Sequence, residues 1–245
     1  MSNGVRYVPV VPRDPGPTRE KLLDAAEGLF AARGLSVSLE EISSAAGQRN
    51  NTAVQYHFTN KAGLLRAILD RQRPIGTARR DELLTRARAD KSDLRLLASV
   101  IVLPTAEYLD RAEQGRSFLR VLAAIVTDSS RSETEIADLL VDPAHSAVAE
   151  ELAARSGIAP DVALQRVYTL SAAMLHLCAD RARYPAGSAG DSLGVPHADF
   201  VDDLLDLCTG ALGAPSSRSK PTKPKPLPRR VAKARRSGAS PIPGA

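Results

Sequence analysis

Tryptophan is absent from this 245-residue chain, and Cys178 and Cys208 are its only cysteines. Two lone thiols cannot build a disulfide framework and lack the paired spacing of a zinc site, so they read as small buried hydrophobes rather than a redox pair. Long apolar runs are missing too. No stretch reaches the roughly 18 consecutive apolar residues of a membrane span, and Met1 to Pro12 has neither the apolar core nor the cleavage site of a signal peptide. The expectation is a soluble, cytoplasmic protein without a membrane partner. Strand formers do not alternate over any length, whereas Ala, Leu, Arg, Glu and Asp dominate, which makes the fold class all-α. A glycine-rich phosphate loop, a nucleophile elbow and paired His and carboxylates at working spacing are all absent, so the chain does not read as an enzyme. His145 and His197 have no second ligand at metal spacing, and His176 sits on an apolar helix as a core or interface histidine; no metal or cofactor is expected.

Acid is missing from one end. Ala214 to Ala245 holds nine Lys or Arg and no Asp or Glu; removing those nine from the net charge of +5 leaves −4 for the first 213 residues. The segment PTKPKPLPRRVAKARR is broken by proline and cannot bury a core, so residues 214–245 read as a disordered basic tail. By charge it suits nucleic acid, and a purely solubilising role fits it equally. Residues 1–17, also punctuated by proline, read as a flexible arm.

Between these ends the hydrophobic content of 43% is enough to fill a core. A first helix is expected from Thr18, as cap, to Arg33, burying Leu22, Ala26, Leu29 and Phe30 and stopped by Gly34. In SLEEISSAAGQRNNTAVQYHFTN, Ser38 and Glu41 have the form of a capping box, and Leu39, Ile42, Ala45 and Ala46 recur at helical spacing until Gly47. A second short helix, roughly Asn51 to Phe58, has only Ala53, Val54 and Phe58 to bury. Its other side chains form a dense set of hydrogen-bonding groups, the pattern of a helix-turn-helix (residues 39–58) that reads DNA. Asn60 caps KAGLLRAILDRQR, which Pro74 should break.

Beyond Pro74 helices are expected near Thr77 to Ala89, Asp93 to Leu109 with a kink before Pro104, Arg116 to Thr127, Glu133 to Leu140 and Pro143 to Arg155. Two longer ones follow, Asp161 to Tyr184 and Ala198 to Leu212. The first carries Val162, Val167, Leu170, Ala173, Met174, Leu177 and Cys178, a stripe too wide for one neighbour, which points to a four-helix interface in a homodimer. Tyr108, Phe118 and Tyr168 fit either a pocket wall or plain core.

TREKLLDAAEGLFAARG, SLEEISSAAG, YHF and NKAGLLRAIL, in that order, resemble the TetR-type bacterial transcriptional regulators. The match covers Thr18 to about Leu69. Three positions depart from the family pattern: QRNNTAVQY between Gly47 and His57 is one residue longer than the commonest form, Gln55 stands where tyrosine is usual, and Ala62 replaces a frequent acid. The resemblance implies a three-helix DNA-binding domain (18–75) followed by a larger helical domain (76–213) that binds a small-molecule effector and dimerises. It also implies repression relieved by that effector. Activation, ligand-independent regulation and a non-enzymatic helical scaffold are the alternatives. The partner is a double-stranded DNA operator, an inverted repeat if the protein is a two-fold dimer.

Residue chemistry divides the contacts. Arg49, Asn50, Asn51 and Gln55 suit base edges, since Arg forks to guanine and Asn or Gln to adenine. Ser38, Thr52, Tyr56, His57 and Lys61 suit phosphates. Asn50 or Asn51 fits a helix cap as well, and Tyr56 or His57 fits packing at the domain junction.

Overall fold

A computed structural model describes residues 15–48, 52–140, 142–184 and 194–216. The expected tail at 217–245, and Arg49, Asn50 and Asn51, lie outside the described residues. Every regular element among the described residues is helical: α1 (Pro15–Arg33), α2 (Leu39–Ala45), α3 (Thr52–Phe58), α4 (Lys61–Ala89), α5 (Leu94–Ala106), a single 3₁₀ turn (Glu107–Asp110), α6 (Ala112–Val126), α7 (Glu133–Leu140), α8 (Pro143–Ser156), α9 (Pro160–Arg181) and α10 (His197–Gly213). The all-α expectation holds.

The first three helices and the start of α4 close around Leu22, Leu23, Phe30, Ile42, Val54, Phe58, Leu64 and Leu65, all buried. Thr18 does not cap α1. The helix begins at Pro15, because proline is tolerated in a first turn whose N–H groups have no intrahelical acceptor. The capping box of α2 forms as expected: the Glu41 N–H donates to Ser38 Oγ at 3.2 Å and the Ser38 N–H donates to Glu41 Oε2 at 2.9 Å. Gly47 takes the left-handed conformation (φ 71°) that ends this helix. Asn60 caps α4 by accepting from the Gly63 N–H at 2.9 Å.

Pro74 does not break α4, which runs unbroken from Lys61 to Ala89 and carries the expected domain boundary at residues 75 and 76 within it. The Tyr108 hydroxyl, from the 3₁₀ turn, donates to the Gln72 carbonyl at 2.9 Å and so anchors this stretch of α4 from outside the helix. Gly76 leaves room there: a Cβ would stand 3.3 Å from the Tyr108 oxygen and 3.0 Å from Arg80 Nη1.

The larger domain is built on α5, which packs against α4, α8, α9 and α10 and is apolar nearly all round. The single helix expected over Asp93 to Leu109 is split: α5 ends at Ala106 and the 3₁₀ turn follows. Helix α6 begins at Ala112, ahead of the expected Arg116, and α1 lies against it, so the first domain rests on the second. The wide stripe of α9 divides in two. Val162, Val167, Met174 and Cys178 are buried within the chain, Leu170 and Ala173 are half-buried, and Leu177 is 43% exposed. On α10, Leu204, Leu205, Cys208 and Leu212 face inward and Leu207 is 55% exposed. Burial pushes both thiols up to about 12, consistent with inert packing groups. No described helix is long and apolar enough to cross a membrane, and no metal-binding cluster of His, Cys, Asp or Glu occurs among the described residues.

Candidate nucleic-acid interface

Helix α3 is anchored through Val54 and Phe58, one turn apart and buried against α1, α2 and α4. A seven-residue helix fixed by one face must present the other, and the presented side chains are Thr52, Gln55 and Tyr56, the last 79% exposed. An amide, a hydroxyl and a phenol therefore share one outward surface. His57 lies on its flank, half-buried, its ring edge-on to Tyr56 at 5.0 Å and 6.0 Å from Phe58. Arg49, Asn50 and Asn51, named with Gln55 for base contact, precede this helix but lie outside the described residues.

Two of the residues named for phosphate are engaged within the protein. Ser38 is held in the capping box, where its hydroxyl also donates to Glu41 Oε2 at 2.9 Å. Those bonds, from the Ser38 N–H first, then its hydroxyl and the Arg33 guanidinium at 2.6 Å, hold the Glu41 carboxyl down to about 2. Lys61 is half-buried, with Nζ 5.7 Å from the centre of the Phe30 ring. Burial lowers its pKa, Arg131 adds to that effect, and Asp128 and Glu41 oppose it. Arg19, not anticipated from sequence, places its guanidinium 5.3 Å from the Phe58 ring centre, at the C-terminal end of α3. Nothing local in the sequence couples residues 39 positions apart.

A cavity of about 510 Å³ lies in the second domain, lined from α4, α5, α6, α7, α8 and α9 and the 3₁₀ turn. Tyr108, Phe118 and Tyr168 all border it, so the pocket reading of these aromatics applies. So does His145, which the sequence placed as an unremarkable helix-start residue: its ring lies 5.3 Å from that of Tyr168 and its Nδ1 has no hydrogen-bond partner. The walls come from residues scattered between Leu69 and Leu175, a set with no sequence signature. Leu69, Arg73 and Arg80 of α4 reach the cavity, while the same helix starts beneath α3.

Residues 22–68 match the family model for bacterial regulatory proteins of the tetR family, and residues 99–211 match the model for the tetracyclin repressor-like C-terminal domain. No curated protein matches the chain. Among solved structures, NalD of Pseudomonas aeruginosa, the secondary repressor of the MexAB-OprM multidrug efflux pump, is 24% identical over 81% of this chain and 98% of its own, with a TM-score of 0.54. SmeT, the repressor of the Stenotrophomonas maltophilia multidrug efflux pump SmeDEF, is 22% identical over 86% and 100%, with a TM-score of 0.51. AmtR of Mycobacterium smegmatis is 20% identical over 85% and 91%, also at 0.51. At these identities the solved structures speak to the fold alone. The two family models, matched in chain order over well over half of the sequence, decide the matter: the chain belongs to the TetR family of DNA-binding bacterial transcriptional regulators.

Proposed function

We propose that this regulator is a homodimeric repressor that holds an inverted-repeat operator through paired α3 helices and releases it when a small molecule fills the cavity. The observation that carries this reading is the course of α4. It is capped beside α3, borders the cavity at Leu69, Arg73 and Arg80, and accepts at its Gln72 carbonyl from the Tyr108 hydroxyl. Tyr108 borders the cavity as well, so an occupant acts on a side chain bonded to the helix that supports the DNA-binding head. A ligand shifts such an equilibrium only by its differential affinity for the two arrangements, and an occupant that competes for the Tyr108 hydroxyl supplies one. The exposed Leu177 of α9 and Leu207 of α10 support pairing through these helices. Gln55, Arg49, Asn50 and Asn51 read bases in this scheme, and Thr52, Tyr56 and His57 hold phosphates.

The test is selection of bound sequences from random DNA, followed by gel shift and a reporter. An inverted repeat should emerge, the full chain should lower reporter output, and Gln55→Ala should relax base preference at a cost of about 1–3 kcal/mol. An asymmetric site held by one dimer, or a rise in reporter output, would overturn the symmetric-repressor reading.

A further inference from the structure

The cavity is walled mostly by apolar side chains, with a polar group among them. Ile101, Phe118, Leu122 and Leu139 are apolar wall, whereas Arg80, Asp142, His145, Tyr168 and Ser171 come from α4, the start of α8 and α9. Charge in this group is already matched. Arg80 Nη1 lies 3.0 Å from Asp142 Oδ2, with the side chains only 19% and 15% exposed, and Asp142 Oδ1 accepts from the Ala144 N–H at 2.9 Å. Both carboxylate oxygens are thereby used. Burial, reinforced by Arg80 and opposed by Asp142, lowers the His145 pKa and favours the neutral ring. Burial likewise raises the Tyr168 phenol. Arg73, at the rim, donates to the Leu139 carbonyl at 2.5 Å and faces Asp70 at 3.9 Å. Two buried polar atoms of the group remain without partners: His145 Nδ1 and Ser171 Oγ.

We infer that the cavity takes an uncharged, largely apolar molecule bearing one hydroxyl group, which donates to His145 Nδ1 and accepts from the Ser171 hydroxyl. The inference rests on the cavity being the regulatory site. A hydroxyl satisfies one acceptor and one donor at once, whereas a carboxylate or ammonium would have to take Arg80 or Asp142 from its partner and leave the other charge buried alone. The apolar wall then contributes affinity without specificity.

Four probes that share one ring system separate the possibilities: pyrenebutanol, pyrenebutanoate, pyrenebutylammonium and the hydrocarbon butylpyrene, each titrated by fluorescence against the full-length protein without DNA. The alcohol should bind about tenfold or more tightly than either ion. Ser171→Ala should weaken the alcohol about three- to tenfold, the worth of one neutral hydrogen bond, and leave butylpyrene unchanged. Asp142→Asn keeps a capping oxygen for α8 but frees Arg80, and should move the preference toward pyrenebutanoate. Wild-type preference for either ion, equal loss of alcohol and hydrocarbon in Ser171→Ala, or no binding of any probe would overturn the inference. A fifth measurement keeps the two readings apart. An alcohol that binds with this selectivity yet leaves operator binding unchanged removes the cavity's regulatory role and leaves its ligand class standing.

Discussion

If the Tyr108 hydroxyl packs on α4 at Gly76, its removal and the filling of Gly76 must be coupled. Tyr108 is 5% exposed, and its hydroxyl donates to the Gln72 carbonyl at 2.9 Å. Tyr108→Phe deletes that donor, at a cost of about 1 kcal/mol, the net worth of a hydrogen bond. Gly76→Ala alone gains about 1 kcal/mol of helix propensity. It also sets a methyl 3.3 Å from the Tyr108 oxygen and 3.0 Å from an Arg80 nitrogen that Asp142 holds in place. Crowding of that kind costs about 1–3 kcal/mol, so the single variant should be destabilised. In the Tyr108→Phe background one of the two obstacles is gone while the Arg80 contact remains, so the double variant should recover part of the loss, a favourable coupling of about 1 kcal/mol. Urea unfolding of the four proteins at one fixed concentration, which holds any dimer linkage constant, measures it. Additivity within about 0.5 kcal/mol would show that the hydroxyl does not crowd the Gly76 position.

Leu207→Asp should yield a monomer with unchanged helicity in sedimentation and circular dichroism, whereas Leu205→Asp, at a position 8% exposed and inside the protomer core, should lose about 3–5 kcal/mol of stability and unfold the chain; equal outcomes for the two would misplace the dimer face. Glu41, held down to about 2 from 4.5, stabilises the fold fully above pH 4.5 and loses that contribution as pH falls toward 2, so Glu41→Gln should flatten this part of the acid-unfolding curve; a variant with the wild-type acid limb contradicts the capping-box assignment. Deleting residues 214–245, with their nine cations, should flatten log K against log salt by about 0.9 per phosphate released and leave the preferred sequence unchanged; an untouched slope means that the tail does not contact DNA.

The parts of the fold that the sequence disclosed are those fixed by neighbours within a turn or two. Ser38 and Glu41 meet because three residues of helix bring them together, and Gly47 ends α2 by its own backbone freedom. Pro74 misled for the complementary reason: α4 around it is packed and bonded from outside the helix, as by the Tyr108 hydroxyl at Gln72, which arrives from beyond α5. Periodicity also gave α10 as a helix but not which of its leucines meets a neighbour. Leu205 and Leu207 are two residues apart, and only packing on α5 makes one core and leaves the other open. Lys61 reads as a phosphate partner by its place at the start of α4, and its approach to the Phe30 ring is a contact that this place does not disclose. Of the cavity only the aromatics Tyr108, Phe118 and Tyr168 were open to a pocket reading, since Arg80, His145 and Ser171 join its wall from three separate helices.

The same long-range contacts decide how the head can respond. Arg71, next in sequence to Gln72, reaches back to α1 and pairs with Asp24 at 2.7 Å, Glu20 at 3.4 Å and the buried Glu27. Burial raises the Glu27 pKa against the pull of Arg71, so this pair is retained at an electrostatic cost and is poor evidence of added stability. Its geometric effect is different. A guanidinium bound to three carboxylates on successive turns of α1 fixes that helix to α4 in rotation as well as in distance. Helix α1 also lies against α6, whose Phe118 borders the cavity 4.9 Å from the Tyr108 ring. The cavity therefore borders the head at two places, at Tyr108 against the backbone of α4 and at α6 against α1, and Arg71 joins them one residue from the carbonyl that Tyr108 holds. Under the proposed release mechanism, a change at Tyr108 that moved α4 alone would have to break the Arg71 cluster, so α1 and α4 would move together and carry α3, anchored on both through Val54 and Phe58, as a unit.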